Sequence, residues 1–109
     1  MAGGGLVFTA GSVGLDPATG QLVEGGAATQ AKRAIANLGA ILDAAGSSLD
    51  RVLKATVFLV DIADYPAVNE VYREAFPEPY PARTTVVVLG LPLGARVEIE
   101  CVALTAEAS

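Results

Sequence analysis

Arg83 and Glu98 are the residues of this chain whose types and surroundings point most directly to chemistry. Arg83 opens the run Arg83-Thr84-Thr85-Val86-Val87-Val88-Leu89 after Pro81-Ala82; Gly90-Leu91-Pro92-Leu93-Gly94 makes a turn, and Ala95-Arg96-Val97-Glu98-Ile99-Glu100-Cys101 follows. A guanidinium is a fixed planar cation that grips a carboxylate through two parallel hydrogen bonds. A glutamate within reach of that grip can hold a water or move a proton. The combination suggests a site for a small organic acid. On residue chemistry alone, the ordinary role for Arg83 is a structural ion pair with Glu98, Glu100 or a neighbouring acid, because most arginines pair or face solvent.

Composition narrows the chemistry further. There is no histidine and one cysteine, Cys101. Ser-His and Cys-His catalysis and the usual zinc ligand sets are therefore excluded, which leaves Arg, Glu, Asp, Tyr, Thr and backbone groups. No metal site is expected. A disulfide within the chain is impossible, and a reducing compartment is the natural expectation. Cys101, mid-strand among apolar neighbours, reads as a small buried hydrophobe rather than a nucleophile. A net charge of −5 argues against a nucleic-acid partner, because phosphate binding needs clustered Lys and Arg. Only Lys32 and Arg33 are adjacent. Met1-Ala2-Gly3-Gly4-Gly5 carries no basic residue and does not have the layout of a signal peptide. The apolar runs are broken by Gly, Pro or charge well before membrane-spanning length. A cytoplasmic protein without a membrane partner is expected.

The elements that must position Arg83 and Glu98 follow from periodicity. With 109 residues, 52% of them hydrophobic, the chain reads as a single domain, 1–109. Leu6 to Ser12 is a strand, and Asp16-Pro17-Ala18-Thr19-Gly20 a turn. Ala31, Ala34, Ile35, Leu38, Ile41, Leu42 and Ala45 recur at three- and four-residue spacing and predict a helix closed by Gly46. Val52 to Val60 is a strand, apolar at nearly every position, which implies that both of its faces are covered. Asp61 or Asp64 caps a second helix with Pro66 in its first turn, and Val68, Val71, Tyr72, Ala75 and Phe76 supply its buried side. Strands over about 83–89 and 95–104 are expected to close the chain as a hairpin. The order β-α-β-α-β-β is that of a two-layer α+β domain, with two helices on one face of a mixed sheet. The succession Val86-Val87-Val88 leaves a second sheet face seeking cover, and the simplest cover is another subunit.

Phe8-Thr9-Ala10-Gly11, Lys54 to Asp61, Val68-Asn69-Glu70-Val71-Tyr72, Pro81 to Val86, and Leu91-Pro92 with Val97-Glu98-Ile99-Glu100 together resemble the RidA (YjgF-type) family of reactive-intermediate deaminases, in order, from about Leu6 to Leu104. The resemblance implies a chorismate-mutase-like fold assembled as a homotrimer with ligand clefts between subunits. It implies hydrolysis of enamine and imine acids such as 2-aminoacrylate to 2-keto acids and ammonia, without a cofactor. Carried over by motif, Arg83 is the carboxylate-binding arginine, Glu98 the water-associated glutamate and Asn69 the asparagine of the second helix. The family pattern also places a cleft-lining tyrosine upstream of the first residue here, often a serine where Ala10 stands, and often a cysteine where Thr85 stands.

On that resemblance Arg83 pins the substrate carboxylate and Glu98 holds the attacking water, with the Thr85 N–H as a further donor and Gly11 permitting close backbone approach. Asn69 could equally cap a turn, and Tyr80 reads as an exposed loop residue beside Arg83. Hairpin arithmetic sets Arg83 opposite Cys101 and Glu98 opposite Val86, about 10 Å apart along the ladder. The two are then poorly placed to meet within one chain, whereas a cleft combining Arg83 of one subunit with Glu98 of its neighbour brings them together. The competing reading is a non-catalytic small-carboxylate-binding module. An isomerase on the same architecture is disfavoured, since it needs several cations around a dicarboxylate and the chain has seven Lys and Arg in all.

Overall fold

The computed structural model describes residues 1–106; the end of the expected domain, 107–109, lies outside the described residues. Its longest helix, α1 (Gly26–Ala44), follows from the apolar stripe. Ala27, Ala31, Ala34, Ile35, Leu38 and Leu42 are all buried. Alanines at the contact let the helix axis lie close on the sheet. Ile41 and Ala45, expected on the same stripe, are exposed: Ile41 falls at the stripe's margin and Ala45 is already the C-cap. Gly46, at φ +78°, then stops the helix. Its N–H donates to Asp43 O at 3.1 Å and that of Ser47 to Leu42 O at 2.8 Å, the two bonds of a Schellman close, which needs a left-handed residue where glycine has no Cβ penalty.

The remaining elements are β1 (Ala2–Gly3), β2 (Leu6–Phe8), β3 (Ser12–Val13), β4 (Val52–Leu59), α2 (Tyr65–Ala75), β5 (Ala82–Val87) and β6 (Val97–Leu104). They form a mixed sheet in the order β1-β2-β6-β4-β5, with β3 also on β6, and both helices pack on one face. The core lies between: Ala55, Val57 and Leu59 of β4, Val97, Ile99, Cys101 and Ala103 of β6, the α1 stripe, and Val68, Tyr72 and Phe76 from the α2 side. Before α2, the Asp61 carboxylate accepts the Ala63 N–H at 2.9 Å and caps a short 3-10 turn that leads into the helix, with Pro66 in its first turn. Asp64, the other expected cap, pairs instead with Arg96 at 2.9 Å. Among the described residues, no helix is long and apolar enough to cross a membrane.

The structure corrects two expectations. The strand over 6–12 is broken: β2 and β3 both pair with β6, and Thr9 bridges the interruption by accepting the Cys101 N–H on its hydroxyl at 2.9 Å. More consequentially, β5 and β6 are not a hairpin. β4 lies between them, parallel to β5 and antiparallel to β6. β4 takes an interior place beside the edge strand β5, and the 88–96 connection passes over its end, where Val88 N–H donates to Leu59 O at 2.8 Å and Val60 N–H to Arg96 O at 3.4 Å.

Among the described residues, only one face of β4 is covered. Lys54, Thr56 and Phe58 share the opposite face with Phe8, Thr84, Val86, Glu98, Glu100 and Val102 by register. On this open face Phe8 is 48% and Val86 39% exposed.

Candidate active site

Arg83 stands on β5, the edge strand, opposite Ala55, which is opposite Cys101; Glu98 stands opposite Phe58, which is opposite Val86. Residues opposed in a ladder share a face, and faces alternate along a strand. Arg83 therefore lies on the helix side of the sheet and Glu98 on the open side. They are offset by three residues along the strands and separated across them by β4. The expected offset survives the loss of the hairpin because β4 transmits the same register. Within one chain the two do not meet.

On the helix side α2 builds a cradle for Arg83. Tyr65, Asn69 and Tyr72 recur at four- and three-residue spacing and so present one helical face. One terminal nitrogen of Arg83 donates to Asn69 Oδ1 at 2.6 Å and the other to the Tyr65 hydroxyl at 3.0 Å. The guanidinium carbon sits 4.7 Å from the Tyr72 ring centroid and 5.6 Å from that of Tyr65, within cation–π range. No carboxylate pairs with Arg83 among the described residues, so the structural ion pair with Glu98 or Glu100 is not what is found. Two of the five N–H donors of a guanidinium are engaged, and the others are left for a ligand. Before it lies a cleft of about 490 Å³ lined by Asn69, Tyr72, Arg73, Tyr80, Pro81 and Arg83. Thr85 is on the same face two residues on, and because Val88 turns its N–H toward β4, alternation turns the Thr85 N–H toward the unpaired edge.

Tyr72 fixes the depth of this cradle. Its hydroxyl is buried without a hydrogen-bond partner among the described residues. Burial raises its pKa first of all; Arg83 pulls it down and Cys101 raises it further. The Cys101 thiol is likewise pushed up by burial, against the hydrogen bond from Thr9 and with the Glu100 charge. Both groups stay neutral near pH 7. An orphaned buried hydroxyl costs about 1–3 kcal/mol. Tyr72→Phe keeps the ring under Arg83 and removes that cost, so we expect a more stable protein, by roughly 1 kcal/mol in urea unfolding.

Gly11 and Glu98, the other two candidate residues, meet away from Arg83. A methyl group at Gly11 would overlap Oε1 and Cδ of Glu98, so the carboxylate lies directly against the Gly11 backbone, beside the Val13–Glu98 pairing of β3 and β6. Gly11→Ala is expected to displace the Glu98 side chain. Its effect falls on turnover, about tenfold, with a thermal midpoint near that of the wild type, since only a flexible side chain must yield.

Of the candidate residues, the fold brings Arg83 to Asn69, with Thr85 alongside, and Gly11 to Glu98, and it keeps these two groups apart. Sequence reasoning missed Tyr65 and Arg73 and took Tyr72 only as core. The spacing of Tyr65, Asn69 and Tyr72 was the available signal.

Residues 1–105 match the sequence pattern of the family described as Endoribonuclease L-PSP. The chain belongs to that family. It is the RidA (YjgF) family whose motifs Arg83 and Glu98 resemble. The chain is 48% identical over 98 residues to the human protein named 2-iminobutanoate/2-iminopropanoate deaminase, spanning 90% of this chain and 72% of the relative. It is 50% identical over the same shares to the goat (Capra hircus) protein of that name. The crystal structure of RidA from the Antarctic bacterium Psychrobacter superposes with a TM-score of 0.92 at 42% identity, covering 95% of this chain and 84% of the other. That of Escherichia coli TdcF with bound serine superposes at 0.90 and 37% identity, covering 97% and 85%. The RidA fold is thus the chorismate-mutase-like α+β fold expected from the motifs.

Proposed function

We propose that this RidA-family chain hydrolyses imine acids, and enamine acids through their imine tautomers, to 2-keto acids and ammonia. The observation that carries this reading is Arg83: a guanidinium held in place by Asn69, Tyr65 and Tyr72, with no carboxylate partner among the described residues, facing an open cleft. The relatives at about half identity bear the name of that activity, and TdcF, with its bound serine, holds a small carboxylate-bearing molecule.

Arg83 takes the substrate carboxylate through its remaining N–H donors, with the Thr85 N–H available beside it, and so fixes the neighbouring imine carbon. Glu98 holds a water and accepts its proton as the oxygen bonds to that carbon; the C=N π electrons pass to nitrogen. The nitrogen takes that proton back from Glu98 to give the carbinolamine; Glu98 then accepts the carbinolamine O–H proton as the carbonyl forms and passes it to the amino group, so that the C–N bond breaks and ammonia leaves. One water is consumed, one ammonia and one keto acid are released, and no redox partner or cofactor enters. The imine is already electrophilic, so positioning and one proton relay suffice.

Because Arg83 and Glu98 lie on opposite faces of one sheet, we propose that a working site combines Arg83 of one subunit with Gly11 and Glu98 of its neighbour in a homotrimer. The exposed Phe8 and Val86 on the Glu98 face supply apolar surface for that contact. A cytoplasmic location is in keeping with the free thiol of Cys101. The test is ammonia and keto-acid release from 2-aminoacrylate generated in situ. Acceleration over the spontaneous rate is expected. A folded protein that binds the keto acid without acceleration would instead be a carboxylate-binding module.

A further inference from the structure

The Arg83 cleft contains a second cation. Arg73, on the last turn of α2, lines it together with Arg83, while no Asp or Glu among the described residues does. In a chain with seven Lys and Arg against twelve Asp and Glu, a cleft holding two guanidiniums and no carboxylate is a local inversion of the overall charge. Arg73 is exposed and has no ion-pair partner among the described residues. It lies one helical turn beyond Asn69, the residue that hydrogen-bonds Arg83, which displaces it by about 6 Å along the helix axis. A ligand whose first carboxylate sits on Arg83 therefore meets a second cation farther along the same cleft. The Tyr80 hydroxyl, on the half-exposed wall of the cleft, adds a neutral donor.

We propose that Arg73 is a specificity-determining residue, and that the substrates of this site include imines of dicarboxylic amino acids. The 2-carboxylate sits on Arg83, as in the reading above on which this inference rests, and the side-chain carboxylate sits on Arg73. The reaction is the same hydrolysis, water in and ammonia out. Discrimination comes from the charge-assisted hydrogen bonds to the distal carboxylate, which a monocarboxylic imine lacks.

The experiment compares 2-iminoglutarate with 2-iminobutanoate, each generated in situ by an amino-acid oxidase, on the wild type, Arg73→Glu and Arg73→Lys. We expect the wild type to accept the diacid. The ratio of kcat/KM values, diacid over monoacid, should fall about tenfold to a hundredfold in Arg73→Glu and recover most of the way in Arg73→Lys. Rejection of the diacid by the wild type, or a ratio unmoved by charge reversal, overturns the proposal. Calorimetric titration of 2-oxoglutarate and 2-oxobutanoate reads the same contact without turnover. If neither imine is hydrolysed but Arg73→Glu selectively weakens 2-oxoglutarate, the second carboxylate site stands and imine hydrolysis falls. Equal weakening of both keto acids sinks the role of Arg73 instead.

Discussion

Arg83→Ala is expected to bring imine hydrolysis down to near the spontaneous rate, a loss of roughly a hundredfold to a thousandfold in kcat/KM. The size follows from how little else fixes the substrate. Among the residues lining the cleft only Arg83 and Arg73 are cationic, and Arg83 alone is held from three sides, by Asn69, Tyr65 and the Tyr72 ring. Removing it frees the imine carbon from any defined position relative to the water. Arg83→Lys separates charge from geometry. An ammonium keeps the attraction but cannot present two parallel donors, so about a tenfold to hundredfold deficit is expected to persist. Both variants should fold: Arg83 is half-buried on an edge strand, and Asn69 and Tyr65 can turn to solvent. Circular dichroism and thermal midpoints check this alongside the ammonia assay. Wild-type turnover by a folded Arg83→Ala protein would remove the carboxylate clamp from the mechanism.

How much of this was readable beforehand differs element by element. The α1 stripe and its Gly46 stop are local: a 3.6-residue period and a glycine at a left-handed position speak for themselves within one segment. Strand pairing is not local. Periodicity identified β4, β5 and β6 as strands, yet a short turn-like segment at 90–94 suggested that the last two pair directly, when β4 intervenes. The cue lay in β4 itself, whose near-continuous apolar character suits an interior strand better than an edge. The break at Thr9–Gly11 was illegible because a threonine hydroxyl replaces a ladder bond there, and nothing in the residue order announces that. The site shows the same division. Arg83, Asn69 and Glu98 came from motif resemblance, whereas the aromatic support of Arg83 depends on which face α2 turns to β5. The separation of Arg83 from Glu98 was legible as an offset along the strands, but their placement on opposite faces needed the true register.

That separation makes the strongest test of the shared site one of complementation. If Arg83 and Glu98 of one chain served the same ligand, Arg83→Ala and Glu98→Gln proteins would stay inactive however they were combined. If each site takes Arg83 from one subunit and Glu98 from the next, a mixed assembly contains sites intact on both sides. Glu98→Gln alone is expected to lose about a hundredfold or more in turnover, because the amide cannot accept the water's proton. Subunits of the two variants, unfolded together in equal amounts and refolded, combine at random. A given site then draws its arginine from a Glu98→Gln subunit and its glutamate from an Arg83→Ala subunit about one time in four, so about a quarter of wild-type activity should return. The same ratio mixed without subunit exchange should show none. Recovery near that fraction places the site between subunits, since no rearrangement within a single chain restores both groups to it. Absence of recovery in demonstrably mixed oligomers would leave Glu98 without a part in the chemistry at Arg83 and return the Gly11–Glu98 contact to a structural role.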